Sequence, residues 1–203
     1  AGATVWKSTA MGSAVSSYLG VATADNTETE IVLNADGFTV SNAAEVNTIN
    51  VRYTYIAFAG SDCTAPGVFC VGAYSGTVAA NLAVNTGVQP DFLMVKRATA
   101  VAASFRTSSM AANNAAFFAA TANDATGVFF QTIDATGFTV GLTNNTNASV
   151  FYYLAFKTLA GKMAVGQFTG DGVDSRNITG LGFEPDAAFV KQNAALTIVY
   201  HTT

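Results

Sequence analysis

At 203 residues, half of them apolar and only 11% charged, the chain can build one large β domain or two small ones around a sizeable core. A formal net charge of −4 with no run of Lys or Arg argues against a phosphate-backbone partner, so nucleic acid is not expected. No stretch reaches the roughly 18 apolar residues that cross a bilayer, so membrane insertion is not expected either.

Strand signals follow one another along the chain. Val5–Thr9 opens the series, and 11–23 reads as loop plus strand. Asp36-Gly37 turns into Gly37-Phe38-Thr39-Val40. The run Val51–Phe58 reads as a strand with Arg52, Thr54 and Ile56 on one face and Tyr53, Tyr55 and Ala57 on the other. Cys63 and Cys70 flank a Pro66-Gly67 turn. The short loop suits a local disulfide worth about 2 kcal/mol and an oxidising compartment, with two free thiols or a metal pair as alternatives. Next come Val71–Gly76, the turn Gly87–Asp91, the apolar strand 92–96 and the strand 104–108. The Ala-rich stretch 110–122 admits a helix. Its counterpart at 11–23 is rich in Ser, Gly and Val, so both are read as loop plus strand. Gly137–Val140, an Asn-rich turn, Phe151–Phe156, the turns at Asp171-Gly172 and Gly182–Pro185, and Val199–Thr203 complete the chain. Turn residues at about 8–12-residue spacing predict an all-β, antiparallel β-sandwich.

The strands form a repeat. Gly37–Val40 returns as Gly137–Val140, Tyr53–Phe58 as Phe151–Phe156, Val71–Gly76 as Val165–Gly170, and Gly87–Asp91 as Gly182–Asp186. One segment occurs three times, as Val5–Thr9, Ser104–Ser108 and Val199–Thr203. The copies lie about a hundred residues apart, a domain-sized period with about seven strands each, far beyond solenoid or propeller repeats. The expected organisation is two pseudo-repeated modules in circularly permuted order. Residues 1–60 form the C-terminal half of one module, 68–157 a complete module, and 162–203 an N-terminal half. Half a module cannot bury its own apolar face. The two halves are expected to complete each other within a chain, which is slightly favoured, or between chains as a homo-oligomer. The opening at Ala1, with no signal peptide, is expected of a processed precursor or a trimmed chain.

Chemistry is sparse. His201 is the one histidine, and its counterparts are Lys7 and Arg106, so it reads as a solvent-facing cation and not as part of a triad. Asp91 and Asp186 each follow a Pro and are expected to fix the turn before a strand. Lys96 and Lys191 end an apolar strand, as edge protection or as partners of those aspartates. Asp171 and Asp174 are weak calcium candidates, because their counterpart segment 75–80 has no acid and calcium takes six to eight oxygens. Glu28 and Glu30 are expected to share one exposed strand face. Phe38 and Phe138, Phe58 and Phe156, and Tyr74 and Phe168 are expected in the core. Tyr53, Tyr55, Tyr152 and Tyr153 are the candidates for exposed aromatic contacts, since tyrosine can keep its hydroxyl wet. Asn144, Asn147 and Asn177 head Asn-x-Ser/Thr sequons in expected turns. No cofactor, no metal and no enzymatic activity are expected.

The ordered set Val-Gly-x-Tyr-x-Gly, Gly-x-x-Pro-Asp, Val-Lys, Gly-Phe-Thr-Val and aromatic-x-Tyr-x-Ala-Phe resembles tail-fibre-like and other structural proteins of tailed bacteriophages. It covers nearly the whole chain, from Val5 to Thr203. The resemblance implies concanavalin-like or jelly-roll β-sandwich modules and a place on the virion surface, as decoration, tail or fibre subunit. Two positions depart from the pattern. Tryptophan survives only as Trp6, with Phe105 and Tyr200 in the other copies, and Val88 stands where the family has Phe. The partners implied are the chain itself or other virion proteins, with host-surface glycans as a further class. An extracellular carbohydrate-binding or adhesion module is the alternative.

Overall fold

The computed structural model describes residues 4–60, 69–146, 148–196 and 198–202. The fold is mostly β, and its sheets are antiparallel. The N-terminal repeat supplies the hairpin-like pair β1 (Val5–Trp6) and β2 (Ser17–Tyr18), then β3 (Ile31–Asn34), β4 (Gly37–Val40) and a single helical turn α1 (Ala44–Asn47). The central repeat supplies β5 (Phe69–Ser75), β6 (Leu82–Asn85), β7 (Phe92–Arg97), β8 (Ser104–Thr107), β9 (Ala116–Phe117), β10 (Phe130–Asp134), β11 (Gly137–Val140), a 3-10 turn at Leu142–Asn145, and β12 (Val150–Phe156). The C-terminal repeat supplies β13 (Ala187–Val190) and β14 (Val199–Thr202).

The central repeat holds the two larger sheets. One has the order β5-β12-β7-β8-β9, the other β10-β11-β6. The sequence explains the interior position of β12, between β5 and β7. Phe151-Tyr152-Tyr153-Leu154-Ala155-Phe156 is apolar or aromatic throughout, the pattern of a strand covered on both faces. Phe151, Tyr153 and Ala155 join Leu93 and Val95 in a buried cluster that also contains Phe138 and Val140 of β11 and Phe130 of β10. Leu154 faces the other way, with Met94 and Phe105, in a second cluster completed by Trp6, Leu19 and Ile198 from the flanking repeats. Each fully buried Phe or Leu of this kind contributes about 1.5–3 kcal/mol.

The terminal repeats reproduce the central one hairpin by hairpin. β1–β2 pairs Val5 with Tyr18, as β8–β9 pairs Ser104 with Phe117. β3–β4 pairs Leu33 with Phe38, as β10–β11 pairs Ile133 with Phe138. β13–β14 pairs Ala188 with His201, as β7–β8 pairs Leu93 with Arg106. Matching sequence patterns thus give matching registers, except that β10–β11 carries a bulge between Phe130 and Thr132 that β3–β4 lacks. Loop plus strand is the correct reading of 11–23 and 110–122.

Repetition stops at the strands that need distant partners. The expected strand 51–58 does not form a ladder, although its copy is β12. Residues 163–169, the copy of β5, form none either. A strand exists only where a neighbour satisfies its backbone, and neither segment has that neighbour here.

Candidate functional site: faces left open by the terminal repeats

Equivalent residues have opposite fates. Tyr153 is 9% exposed, and its copy Tyr55 is 71% exposed. Leu154 is buried while Ile56 is exposed. Phe138 is fully buried, and Phe38 is 37% exposed. Tyr74 is half-buried against the core, whereas Phe168 is 50% exposed. Along β13 all four residues are exposed, although Leu93 to Val95 of β7 are buried. The core expectation therefore holds for Phe138, Phe156 and Tyr74 and fails for Phe38, Phe58 and Phe168. Phe38 and Phe168 lie on terminal repeats away from the two larger sheets, and Phe58 stays exposed on one side while its ring stacks on Phe69 of β5 at 4.0 Å.

The open face of the N-terminal repeat is nevertheless shaped. Tyr55 meets Phe38 edge-on at 5.1 Å and 76°, and Tyr153 meets Phe138 edge-on at 5.5 Å and 74°. Tyr53 is pinned as well. Its hydroxyl donates to the Ala44 carbonyl at 2.9 Å and accepts the Thr48 amide at 3.0 Å. Segment 52–58 is thus held over β4 much as β12 is held over β11, without its two sheet neighbours.

Of the four tyrosines expected to be exposed, Tyr53 and Tyr55 are, whereas Tyr152 and Tyr153 are buried. Tyr153 points into the first cluster, over Gly72, where a Cβ would collide with its ring. Tyr152 lies opposite Lys96 in the ladder, under the Asp25 region. Burial raises both phenols, and the Asp25 charge adds to the effect at Tyr152.

Lys96 is also not an edge residue. It is fully buried and reaches Asp25 of the N-terminal repeat at 3.7 Å. Its ammonium donates to the Thr23 and Thr99 carbonyls at 3.3 and 3.2 Å. The Asp25 amide donates to the Ala98 carbonyl at 2.9 Å, and the Ala103 amide to the Leu19 carbonyl at 3.1 Å. These bonds join the N-terminal repeat to the central sheet. Burial lowers the Lys96 ammonium against the pull of Asp25. Burial raises the Asp25 carboxyl against Ser17 and Lys96.

Asp91 does more than fix its own turn. Its carboxylate accepts Ser108 Oγ at 2.8 Å, the Thr158 amide at 2.9 Å and Thr158 Oγ1 at 2.7 Å, with Lys157 Nζ at 3.8 Å. It binds the start of β7 to the ends of β8 and β12. Its copy Asp186 is exposed.

Glu30 departs furthest from expectation. It is fully buried immediately before β3, outside any strand, and it accepts Tyr18 Oη and Asn26 Nδ2, each at 2.8 Å. Asn144 is buried and donates to Ser104 Oγ at 3.1 Å, so it is no exposed sequon. Asn147 lies outside the described residues. Asn145, overlooked in the sequence, is buried too. It accepts the Thr77 amide at 2.7 Å and donates to the Ala79 carbonyl at 2.8 Å.

Asp171 is engaged by Arg176 at 3.2 Å and by the Val173 amide at 3.0 Å. Neither it nor Asp174 meets further acids, and no three His, Cys, Asp or Glu converge among the described residues. His201 is exposed on β14. Cys70 is buried on β5 opposite Ala155, while Cys63, and with it the expected pairing, lies outside the described residues. No helix among the described residues is long and apolar enough to cross a membrane.

No family model, curated protein or solved structure matches this chain.

Proposed function

We propose that this chain is a non-enzymatic structural protein of a virion, a decoration, tail or fibre subunit that assembles through β-sandwich modules. One observation carries the reading: the terminal repeats expose the residues that the central repeat buries, on strand segments already shaped for partners. Such a surface serves association. The proposed modules are 1–60, 68–157 and 162–203, the first and last being complementary halves. The sandwich reading is supported by the first cluster, which draws Phe151 and Tyr153 from one sheet and Phe138 and Val140 from the other. A jelly-roll or concanavalin-like connection is the finer form of the proposal. The partners are further copies or other virion proteins, the location is the virion surface or the extracellular space, and contact with the host surface belongs to the same role.

Mass in solution by light scattering, with negative-stain images of the same sample, tests this. A discrete oligomer or a growing filament supports the reading. A stable monomer of 20.9 kDa at all concentrations overturns assembly as the role.

The exposure of Tyr53 and Tyr55, two residues apart, favours one second reading, a carbohydrate-binding module. Glycan affinity that disappears in Tyr55→Ala, from a chain that stays monomeric, would replace the first reading with this one.

A further inference from the structure

We propose that segment 52–58 takes, along one edge, segment 163–169 of a second copy of this chain, antiparallel and in the register of β12 against β5. The proposal rests on the assembly reading and names its surface.

The central repeat supplies the template. β12 and β5 pair Phe151 with Tyr74, Tyr153 with Gly72, Leu154 with Val71, Ala155 with Cys70 and Phe156 with Phe69. Carried over the repeat, these become Tyr53 with Phe168, Tyr55 with Gly166, Ile56 with Val165, Ala57 with Ala164 and Phe58 with Met163. Three of the five pairs keep their types: aromatic faces aromatic, tyrosine faces glycine, and branched aliphatic faces valine. At the other two, Ala164 stands for Cys70 and Met163 for Phe69, both still apolar.

Glycine gives the most specific mark. At Gly72 a Cβ would run into the ring of Tyr153, and at Gly76 into the Thr146 carbonyl. At Gly166 and Gly170, the copies, an added Cβ would meet nothing within 4 Å. The sequence therefore keeps a slot for a tyrosine ring at Gly166 that this chain leaves vacant, and it keeps an exposed tyrosine at Tyr55 with no slot. The ring is already oriented, by its edge contact with Phe38, as Tyr153 is by Phe138.

Both segments are described, and neither pairs with the other in its own chain. The terminal repeats are instead drawn onto the central sheet, where Trp6, Leu19 and Ile198 share the second cluster. Exchange between two copies can be reciprocal, each chain giving 163–169 and receiving it, which closes the interface on a two-fold axis. The backbone ladder supplies affinity, and the Tyr55–Gly166 and Ile56–Val165 pairs supply register.

Cysteine pairing tests this on the full chain. Ala57→Cys protein is mixed with Ala164→Cys protein under mild oxidation, and linked peptides are identified by mass spectrometry. The expected result is a 57–164 disulfide between chains, at least tenfold more abundant than the off-register 57–169 link from Thr169→Cys. If only the double variant links, within one chain, the second-copy proposal is overturned. If no link forms in either format it is also overturned. Light scattering of the parent then shows separately whether assembly survives by another surface. A Gly166→Val variant provides the second arm. It is expected to weaken association at least tenfold while the single-chain melting curve stays unchanged, because its own chain places nothing near that Cβ. Association equal to the parent's would overturn the proposal.

Discussion

The ring of Tyr153 lies across Gly72, its cross-strand partner, so closely that a Cβ at position 72 would collide with it. The pair sits where the edge strand β5 meets β12 in the larger sheet, beneath Phe138. Gly72→Val should destabilise the central repeat by about 1–3 kcal/mol through overpacking. Urea unfolding followed by tyrosine fluorescence measures this. A midpoint equal to the parent's would mean that the ring swings away without loss.

Lys96 and Asp25 form a buried pair across two repeats. Removing one partner strands the other charge. Lys96→Met alone should cost about 3–5 kcal/mol. Adding Asp25→Leu should recover most of that loss, because an apolar pair avoids the desolvation that opposes both charges. A double-mutant cycle from denaturant midpoints gives the coupling, and strict additivity would contradict it.

Asp91 is expected to contribute to acid stability. Burial alone would raise its carboxyl, but the bonds from Thr158 and Ser108 and the Lys157 charge outweigh it and hold the group below its ordinary 3.8. A depressed carboxylate adds stability above the unfolded value and loses it as pH falls through the folded one. The parent should therefore lose stability more steeply below about pH 4 than Asp91→Asn does. Thermal melts from pH 2 to 6 compare the two, and parallel curves would remove Asp91 from the account.

Asn145 organises the turn after β5 from a fully buried position. Asn145→Ala leaves the Thr77 amide and the Ala79 carbonyl without that partner and should cost about 1–3 kcal/mol. Hydrogen exchange at Thr77 and Val78 should accelerate with it. An unchanged exchange rate would show that water replaces the side chain freely.

The sequence disclosed the hairpins because hairpins are local. Asp-x-x-Gly and Asn-x-x-Gly fix the β10–β11 and β3–β4 registers within a few residues, and the repeat carries one reading to the next. Contacts made across the chain were hidden. Asp25 has Asn123 as its counterpart, so the alignment of repeats gave no hint that it would meet Lys96. The phenol hydroxyls of Tyr152 and Tyr153 suggest a wet position, yet both residues are buried in a run with apolar neighbours on both faces. The uninterrupted sequence from Phe151 to Phe156 was the available signal. Glu30 was misread because a carboxylate in a strand-like stretch suggests solvent, while here Tyr18 and Asn26 meet it inside. The 52–58 segment was legible in its residues but not in its state, since a ladder depends on what lies beside it.

Gly166 and Gly170 give selection two different targets. Glycine in extended chain is worth roughly 0.5–1 kcal/mol less than alanine to an isolated fold. A variant library ranked by the heat resistance of dilute single chains should therefore enrich alanine at both sites. The same library ranked by association between chains should purge it if the proposed pairing holds. The two positions would then record whether this sequence was shaped chiefly for survival as one molecule or for membership in a larger one.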